Sequence, residues 1–165
     1  VDGLTFLLYS PRRLEVLETR TVNGKEYKAI FNLNVMQSIQ VEYGTFESWG
    51  ELTDGFVYDE NGERKLKLDS DGNPIIKKIK NKNGEEVEVE VYETKEVDIK
   101  ALIFGIKEMI NEAIDIDNEN NQLNQPLLTE KQVGRLITAM GIEKATSKLN
   151  ETVIESTKDD TPKNE

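Results

Sequence analysis

Cysteine and histidine are both absent from this chain of 165 residues. Without cysteine there is no disulfide, no thiolate metal site and no cysteine nucleophile. Without histidine there is no Ser-His-Asp triad, no histidine-bound zinc or iron, and no imidazole to act as a general acid or base. The phosphate-binding patterns GxxxxGK[ST] and GxGxxG are missing as well. The common catalytic equipment is therefore not available to this chain.

Long apolar runs are also missing, since no stretch approaches the roughly 20 residues that a membrane-spanning helix needs. The N-terminus shows no basic segment followed by an apolar one, so the sequence predicts no secretory leader. Acidic residues outnumber basic residues by 32 to 21, which gives a formal charge of −11. We therefore expect neither nucleic acid nor a membrane as a partner, because this charge repels phosphate groups.

The first third of the chain predicts a β-hairpin followed by two helices. Residues 14–21 and 25–31 flank Asn23-Gly24, a pair that favours a tight turn because both residues accept a positive φ angle. A helix is predicted over residues 33–43, with a glycine directly after it. A threonine then caps a second, short helix whose apolar residues recur at threefold spacing.

Residues 56–96 differ in character from the rest of the chain. Residues 86–91 alternate between glutamate and valine, which is the period of a half-buried strand. Across a turn they face residues 75–80, and this pairing sets lysines opposite glutamates. We interpret the segment as one or two hairpins with one solvated face. Its turn signals are Asn61-Gly62, Asp71-Gly72, Asn73-Pro74 and Asn83-Gly84.

Three helices are predicted in the last third of the chain. The first carries an apolar stripe over residues 99–114, about four turns, and the polar residues 115–125 are predicted to form a loop. Thr129 and Gln132 have the spacing of a capping box at the start of the second helix. The third helix is predicted from residue 142 to about residue 156.

Together these patterns predict an α+β fold. It consists of N-terminal β-hairpins, a β-rich hairpin segment inserted at about residues 56–96, and a C-terminal helical group. We expect a single domain over residues 1–157, because the length suits one core. Residues 158–165 are polar and contain a proline, so they are predicted to be a disordered tail.

The abundance of acidic residues raises the questions of metal binding and of carboxylate catalysis. Asp115, Asp117 and Glu119 alternate as in a calcium loop, but Asn120 and Pro126 stand where an EF-hand requires glycine and glutamate. No acidic pair is singled out for glycosidase-like chemistry, since 32 acids always leave some pair at a suitable distance. We therefore expect no enzyme and no catalytic, metal-binding or cofactor-binding residues.

Two groups of residues are candidates for binding a protein partner. Phe46 and Trp49 belong to an aromatic cluster, and such residues either fill a core or anchor an interface. The last two helices either present an apolar face or complete the core. In the first case Arg135, Lys144 and Lys148 form the rim of that face. The residues alone leave both alternatives open.

Three segments, taken in order, resemble a known family. Residues 31–50 contain Tyr-Gly-Thr-Phe-Glu-Ser-Trp-Gly, residues 99–115 begin with Ile-Lys-Ala-Leu-Ile-Phe-Gly, and residues 126–138 contain Leu-Thr-Glu-Lys-Gln-Val-Gly-Arg-Leu-Ile. This order is similar to the tail assembly chaperones of long-tailed bacteriophages and prophages of Gram-positive hosts. The resemblance covers about 100 of the 165 residues. The segment at about residues 56–96 is longer than the family leads one to expect.

The resemblance implies a non-enzymatic role in the host cytoplasm during virion morphogenesis. Such chaperones bind the tape-measure protein, keep it soluble, help to recruit tail tube proteins, and are absent from the mature virion. Many are made in two lengths through a ribosomal frameshift, and self-association is expected of a chaperone that coats its partner. The family has no catalytic residues to transfer to this chain.

Two other functions stay open. The β-rich first half is also compatible with a structural tail subunit, such as a tube or joining protein. The acidic residues are compatible with a small carboxylate-dependent hydrolase, which would need a deep pocket with convergent acids. A chaperone needs an exposed apolar groove or helix face instead.

Overall fold

The computed structural model describes residues 15–17 and 26–157, and within them two antiparallel β-pairs and five helices occur. The predicted α+β class with its C-terminal helical group is confirmed. The predicted Asn23-Gly24 turn and the predicted tail at residues 158–165 lie outside the described residues. The elements are β1 (Glu15–Leu17), β2 (Tyr27–Ala29), α1 (Leu33–Tyr43), α2 (Phe46–Thr53), β3 (Ile76–Lys80), β4 (Glu86–Glu90), α3 (Ile99–Asn121), α4 (Glu130–Met140) and α5 (Ile142–Thr157).

The first β-pair lies against the longest helix. β1 pairs antiparallel with β2, and Glu15 is opposite Ala29. Directly after β2, the backbone N–H of Ile30 donates to the carbonyl oxygen of Met109 in α3, at 3.1 Å. Ala29, Ile30 and Phe31 are buried there. The chain therefore enters the helical core immediately after its second strand.

Helix α3 is the centre of the core, since it contacts β2 and each of the four other helices. Its apolar stripe supplies the largest share of the buried side chains, as the sequence periodicity predicted. The buried apolar residues that form one cluster are Ala29, Phe31, Val35, Ile39, Trp49, Ala101, Leu102, Ile106, Met109, Ile110, Val133, Leu136, Ile137, Ala145 and Leu149.

Most helix termini lie where the sequence places them. The side chain of Asn32 caps α1, and the side chain of Thr45 caps α2 by accepting from the backbone N–H of Ser48. The predicted capping box is present in α4: Thr129 accepts from the backbone of Gln132, whose side chain accepts from the backbone of Thr129. Local side-chain chemistry is sufficient to fix these ends.

The prediction of a loop over residues 115–125 is wrong for most of that stretch, because α3 continues to Asn121. The helix ends at Gln122, which takes a left-handed φ of 52°. The Asn118 side chain donates to the carbonyl oxygen of Gln125 at 3.0 Å and accepts from its N–H at 2.9 Å. Extending a formed helix costs little, so residues that disfavour nucleation are tolerated at its end.

The insertion contains three hairpin turns rather than one or two, at residues 59–63, 69–73 and 81–85. The turns are built alike. In the first, the Asp59 carboxylate accepts from the N–H groups of Asn61 and Glu63, at 2.8 and 2.9 Å. The same contacts recur at the second turn, and an asparagine replaces the aspartate at the third. These acidic side chains therefore serve turn formation.

Two three-way junctions join the turns to one another. In the first, Val57 donates to Glu93 at 3.1 Å, Glu93 donates to Lys65 at 2.8 Å, and Lys65 donates to Val57 at 2.9 Å, all through backbone groups. Each segment thus bonds to the other two, and the backbone groups are satisfied without a regular sheet. The second junction has the same cyclic pattern and joins Lys67, Val91 and Ile75.

Candidate partner-binding surfaces

The aromatic cluster predicted as an interface or as core filling is largely core. Trp49 is only 1% exposed, and its indole Nε1 donates to the carbonyl oxygen of Ala101 at 3.0 Å. Phe46 is half-buried between Phe31 and Trp49, with ring centroids 5.4 and 5.6 Å away. Of the two interpretations, core filling describes Trp49, while Phe46 keeps part of its ring at the surface.

The apolar sides of α4 and α5 also complete the core. Their buried residues include Val133, Leu136, Ile137, Ala145 and Leu149, all of which belong to the single apolar cluster. The three candidate rim cations lie outside this cluster. They are Arg135 and Lys144, which are exposed, and Lys148, which is half-buried and pairs with Glu151 at 3.1 Å.

A different apolar surface lies on α1, and we call Leu33, Gln37 and Val41 the α1 ridge. Leu33 is 57% exposed and Val41 is 82% exposed. The three residues are four positions apart, so they follow one another along the same side of the helix. No pattern in the sequence predicted an exposed surface here. The sequence does contain a hint of this surface, because Leu33 and Val41 lie on a different side of the helix from the buried pair Val35 and Ile39.

Two polar contacts position helix α1 beside α3. Near its start, the Asn34 side-chain amide donates to Glu112 Oε1 at 2.8 Å. Near its end, Lys100 Nζ lies 3.8 Å from Glu42 Oε1. The two helices therefore run antiparallel, and Ile99, which is 45% exposed, lies at the same end as Val41. This places a second exposed aliphatic side chain near the end of the ridge.

The β3–β4 hairpin presents two chemically different faces. Lys78 is opposite Glu88 and Lys80 is opposite Glu86, as the predicted pairing of lysines with glutamates requires, but Lys77 is opposite Val89 and departs from that prediction. Lys78 Nζ lies 3.9 Å from Glu88 Oε1. The other face carries Ile79 opposite Val87, and Val89 opposite Lys77; of these, Ile79 is 42% exposed. One face is ionic and the other is largely apolar.

Two tyrosines lie in environments that favour the neutral phenol. Burial raises the pKa of Tyr43, and the nearby charges of Asp98, Glu42 and Glu130 raise it further. Burial also raises the pKa of Tyr58, whose hydroxyl donates to the Asp54 carboxylate at the base of the insertion. The neighbouring Arg64 guanidinium partly opposes that second shift.

The described residues show two further negative findings. In the part of the chain that the structure describes, no group of three or more acidic side chains is arranged to hold a metal ion. Across residues 15–17 and 26–157, no helix combines the length and the apolar composition needed to cross a bilayer.

Comparison with known proteins adds no relative. No protein-family model matches the chain, and no curated protein or solved structure matches it.

Proposed function

We propose that this chain is a tail assembly chaperone of a long-tailed phage or prophage. In this role it binds the tape-measure protein in the host cytoplasm and helps to recruit tail tube proteins. The observation that carries the proposal is the α1 ridge, which exposes the aliphatic side chains of Leu33 and Val41 on a strongly acidic chain. The resemblance of three sequence segments to such chaperones supports it.

The three resembling segments are the ones that pack together in the core. Trp49 of the first segment donates to Ala101 of the second. Gly134 of the third lies against Ile103, since a Cβ atom at residue 134 would be 3.6 Å from Ile103 Cδ1. These residues hold the helices together. The resemblance to tail assembly chaperones therefore concerns the residues that pack the helices together, and it supports the proposed function through a shared arrangement of helices.

The α1 ridge has the chemistry expected for holding a long helical protein. Leu33 and Val41 lie two turns apart on one side of α1, where both can pack against a partner helix. The ridge residues from Leu33 to Val41 span about 12 Å, which is about two helical turns. A net charge of −11 opposes clumping of the chaperone while it exposes these two aliphatic side chains.

Co-expression with the tape-measure protein tests the proposal. The partner is the product of the long helical reading frame expected next to this gene. We expect the tape-measure protein to stay in the soluble fraction and to copurify with this chain. A tape-measure protein that is equally insoluble with and without this chain contradicts the proposal.

A substitution on the ridge tests the surface itself. Val41→Asp removes apolar area and adds a charge, and we expect it to reduce the copurified tape-measure protein at least tenfold. Gln40→Asp is the matched control, because it adds the same charge at the neighbouring exposed position of α1. Both substitutions lie at exposed positions, so the free energy of unfolding should change by less than about 0.5 kcal/mol. Equal binding by both variants excludes the α1 ridge as the contact.

A structural tail subunit is the second candidate, since the β-rich insertion is compatible with a tube or joining protein. A subunit remains in the finished particle, whereas a chaperone leaves before completion. Mass spectrometry of purified particles separates the two functions. Stoichiometric amounts of this chain in the particle support the subunit, and its absence from the particle together with copurification of the tape-measure protein supports the chaperone.

A further inference from the structure

The β3–β4 hairpin has two open edges within the described residues, where its sheet contains only these two strands. Val91 donates to Ile75 at 2.9 Å and Asn81 donates to Glu85 at 2.9 Å, so both of these pairs direct their backbone groups inward. Inward and outward positions alternate along antiparallel strands. The backbone groups of residues 76, 78 and 80 and of residues 86, 88 and 90 therefore point outward, at opposite edges of the hairpin.

The two edges carry opposite charges. On β3 the outward positions include Lys78 and Lys80, and on β4 they are Glu86, Glu88 and Glu90. Two lysine edges repel each other, and so do two glutamate edges. A lysine edge and a glutamate edge attract each other. Pairing them between two molecules would form the same lysine–glutamate pairs that already exist inside one hairpin.

We propose that β4 of one molecule pairs antiparallel with β3 of a second copy of this chain. In the register of the hairpin itself, Glu88 lies opposite Lys78 of the second copy, and Glu86 lies opposite Lys80 of the second copy. The contact uses a different surface on each molecule, so it continues from copy to copy and generates a ring or a filament. The proposal does not depend on the proposed function.

The apolar face supports the same arrangement. Ile79, Val87 and Val89 share one face of the hairpin with Lys77. Hairpins added side by side would join these residues into a wider apolar strip. A lone two-stranded hairpin is marginally stable in water, and additional strands stabilise it. Association therefore provides both backbone hydrogen bonds and apolar contacts that the single hairpin does not have.

Sedimentation velocity of the full chain over a range of concentrations tests the edge pairing. Glu88→Pro removes an N–H that points outward and leaves the inward hydrogen bonds of the hairpin in place. Glu88→Gln is the matched control, since it keeps this N–H and removes the charge. We expect the sedimentation coefficient to rise with concentration for the wild type and for Glu88→Gln, but not for Glu88→Pro. A wild type that stays monomeric, or a Glu88→Pro variant that associates like the wild type, overturns the proposal.

A charge exchange tests the specificity and does not depend on proline. The variant K78E/K80E/E86K/E88K exchanges the two edges and keeps opposite charges paired within each hairpin. It should associate with itself but not with the wild type, because mixed contacts place like charges together. Energy transfer between dyes on an added cysteine, Ser147→Cys, reports mixing, since the chain has no other cysteine. Equal transfer in the mixed and unmixed samples overturns the proposal.

Discussion

The indole ring of Trp49 occupies the space that a side chain at Gly105 would need. An ideal Cβ atom at residue 105 would lie 2.2 Å from Cζ2 of the ring. The same ring donates from Nε1 to the carbonyl oxygen of Ala101, one turn earlier in α3, at 3.0 Å. One residue thus fixes α2 against α3 through both shape and a buried hydrogen bond.

Gly105→Ala should destabilise the fold. The new methyl group overlaps a buried ring that cannot move without losing its hydrogen bond, and overpacking of this kind costs about 1–3 kcal/mol. Urea unfolding measures the loss. Gly134→Ala is the control, because its Cβ would lie 3.6 Å from Ile103 Cδ1, an ordinary contact. Alanine in a helix should leave that variant unchanged or up to about 1 kcal/mol more stable. Equal losses in both variants would contradict the role assigned to Trp49.

Asn111→Ala should loosen the connection between α3 and α4. The Asn111 side chain donates to the carbonyl oxygen of Leu128 at 3.0 Å and accepts from its N–H at 2.8 Å. Losing both hydrogen bonds should lower the free energy of unfolding by about 1–3 kcal/mol. Thermal unfolding and amide exchange at Leu128 measure the effect. Asn124→Ala, at an exposed asparagine of the same connection, should change neither thermal unfolding nor amide exchange at Leu128. A comparable effect of Asn124→Ala would argue against Asn111 as the residue that connects α3 and α4.

The features predicted correctly from the sequence depend on neighbouring residues. The capping box of Thr129 and Gln132 uses atoms three residues apart, and the pairing of β3 with β4 follows from one turn and one alternating pattern. Such signals are complete within a short window, so they identify an element without knowledge of the rest of the chain. The α+β class follows from the order of these elements.

The features that were missed depend on distant residues. The three-way junction of Val57, Lys65 and Glu93 unites segments whose pairing no local pattern records. Asn111 looks like any polar residue of a helix until Leu128 is placed beside it. The α1 ridge was missed for the same reason, because exposure is decided by what packs elsewhere. The apolar residues of α4 and α5, for which the sequence left an exposed face and core packing as alternatives, are buried in the core.

Stability should fall at alkaline pH, in part because of Tyr58. Burial first, and then its hydrogen bond to Asp54, raise the pKa of Tyr58 above the ordinary value of 10.0. The folded state therefore holds this proton more tightly than the unfolded state does. Its contribution is fully present below about pH 10 and is lost as the pH rises through the pKa of the folded state.

Urea unfolding at several pH values between about 8 and 11 measures this contribution. Tyr58→Phe loses the hydrogen bond to Asp54 at every pH, so its stability is offset from the start. The informative quantity is the slope of the free energy of unfolding against pH above about pH 10. This slope should be shallower for Tyr58→Phe than for the wild type. Parallel curves for the two proteins would show that Tyr58 does not hold its proton more tightly in the folded state.

Gly84→Ala should open the β3–β4 hairpin without unfolding the helices. Gly84 has a φ of 81°, and no atom lies within 4 Å of the place a Cβ would take, so the cost of about 1–2 kcal/mol comes from the backbone alone. Amide exchange should become faster at Val87 and Val89, whose N–H groups point inward, and stay unchanged in α3. Lys82→Ala, which changes a side chain of the same turn, should leave both regions unchanged. Faster exchange throughout α3 in Gly84→Ala would mean that the insertion and the helical core unfold as one unit.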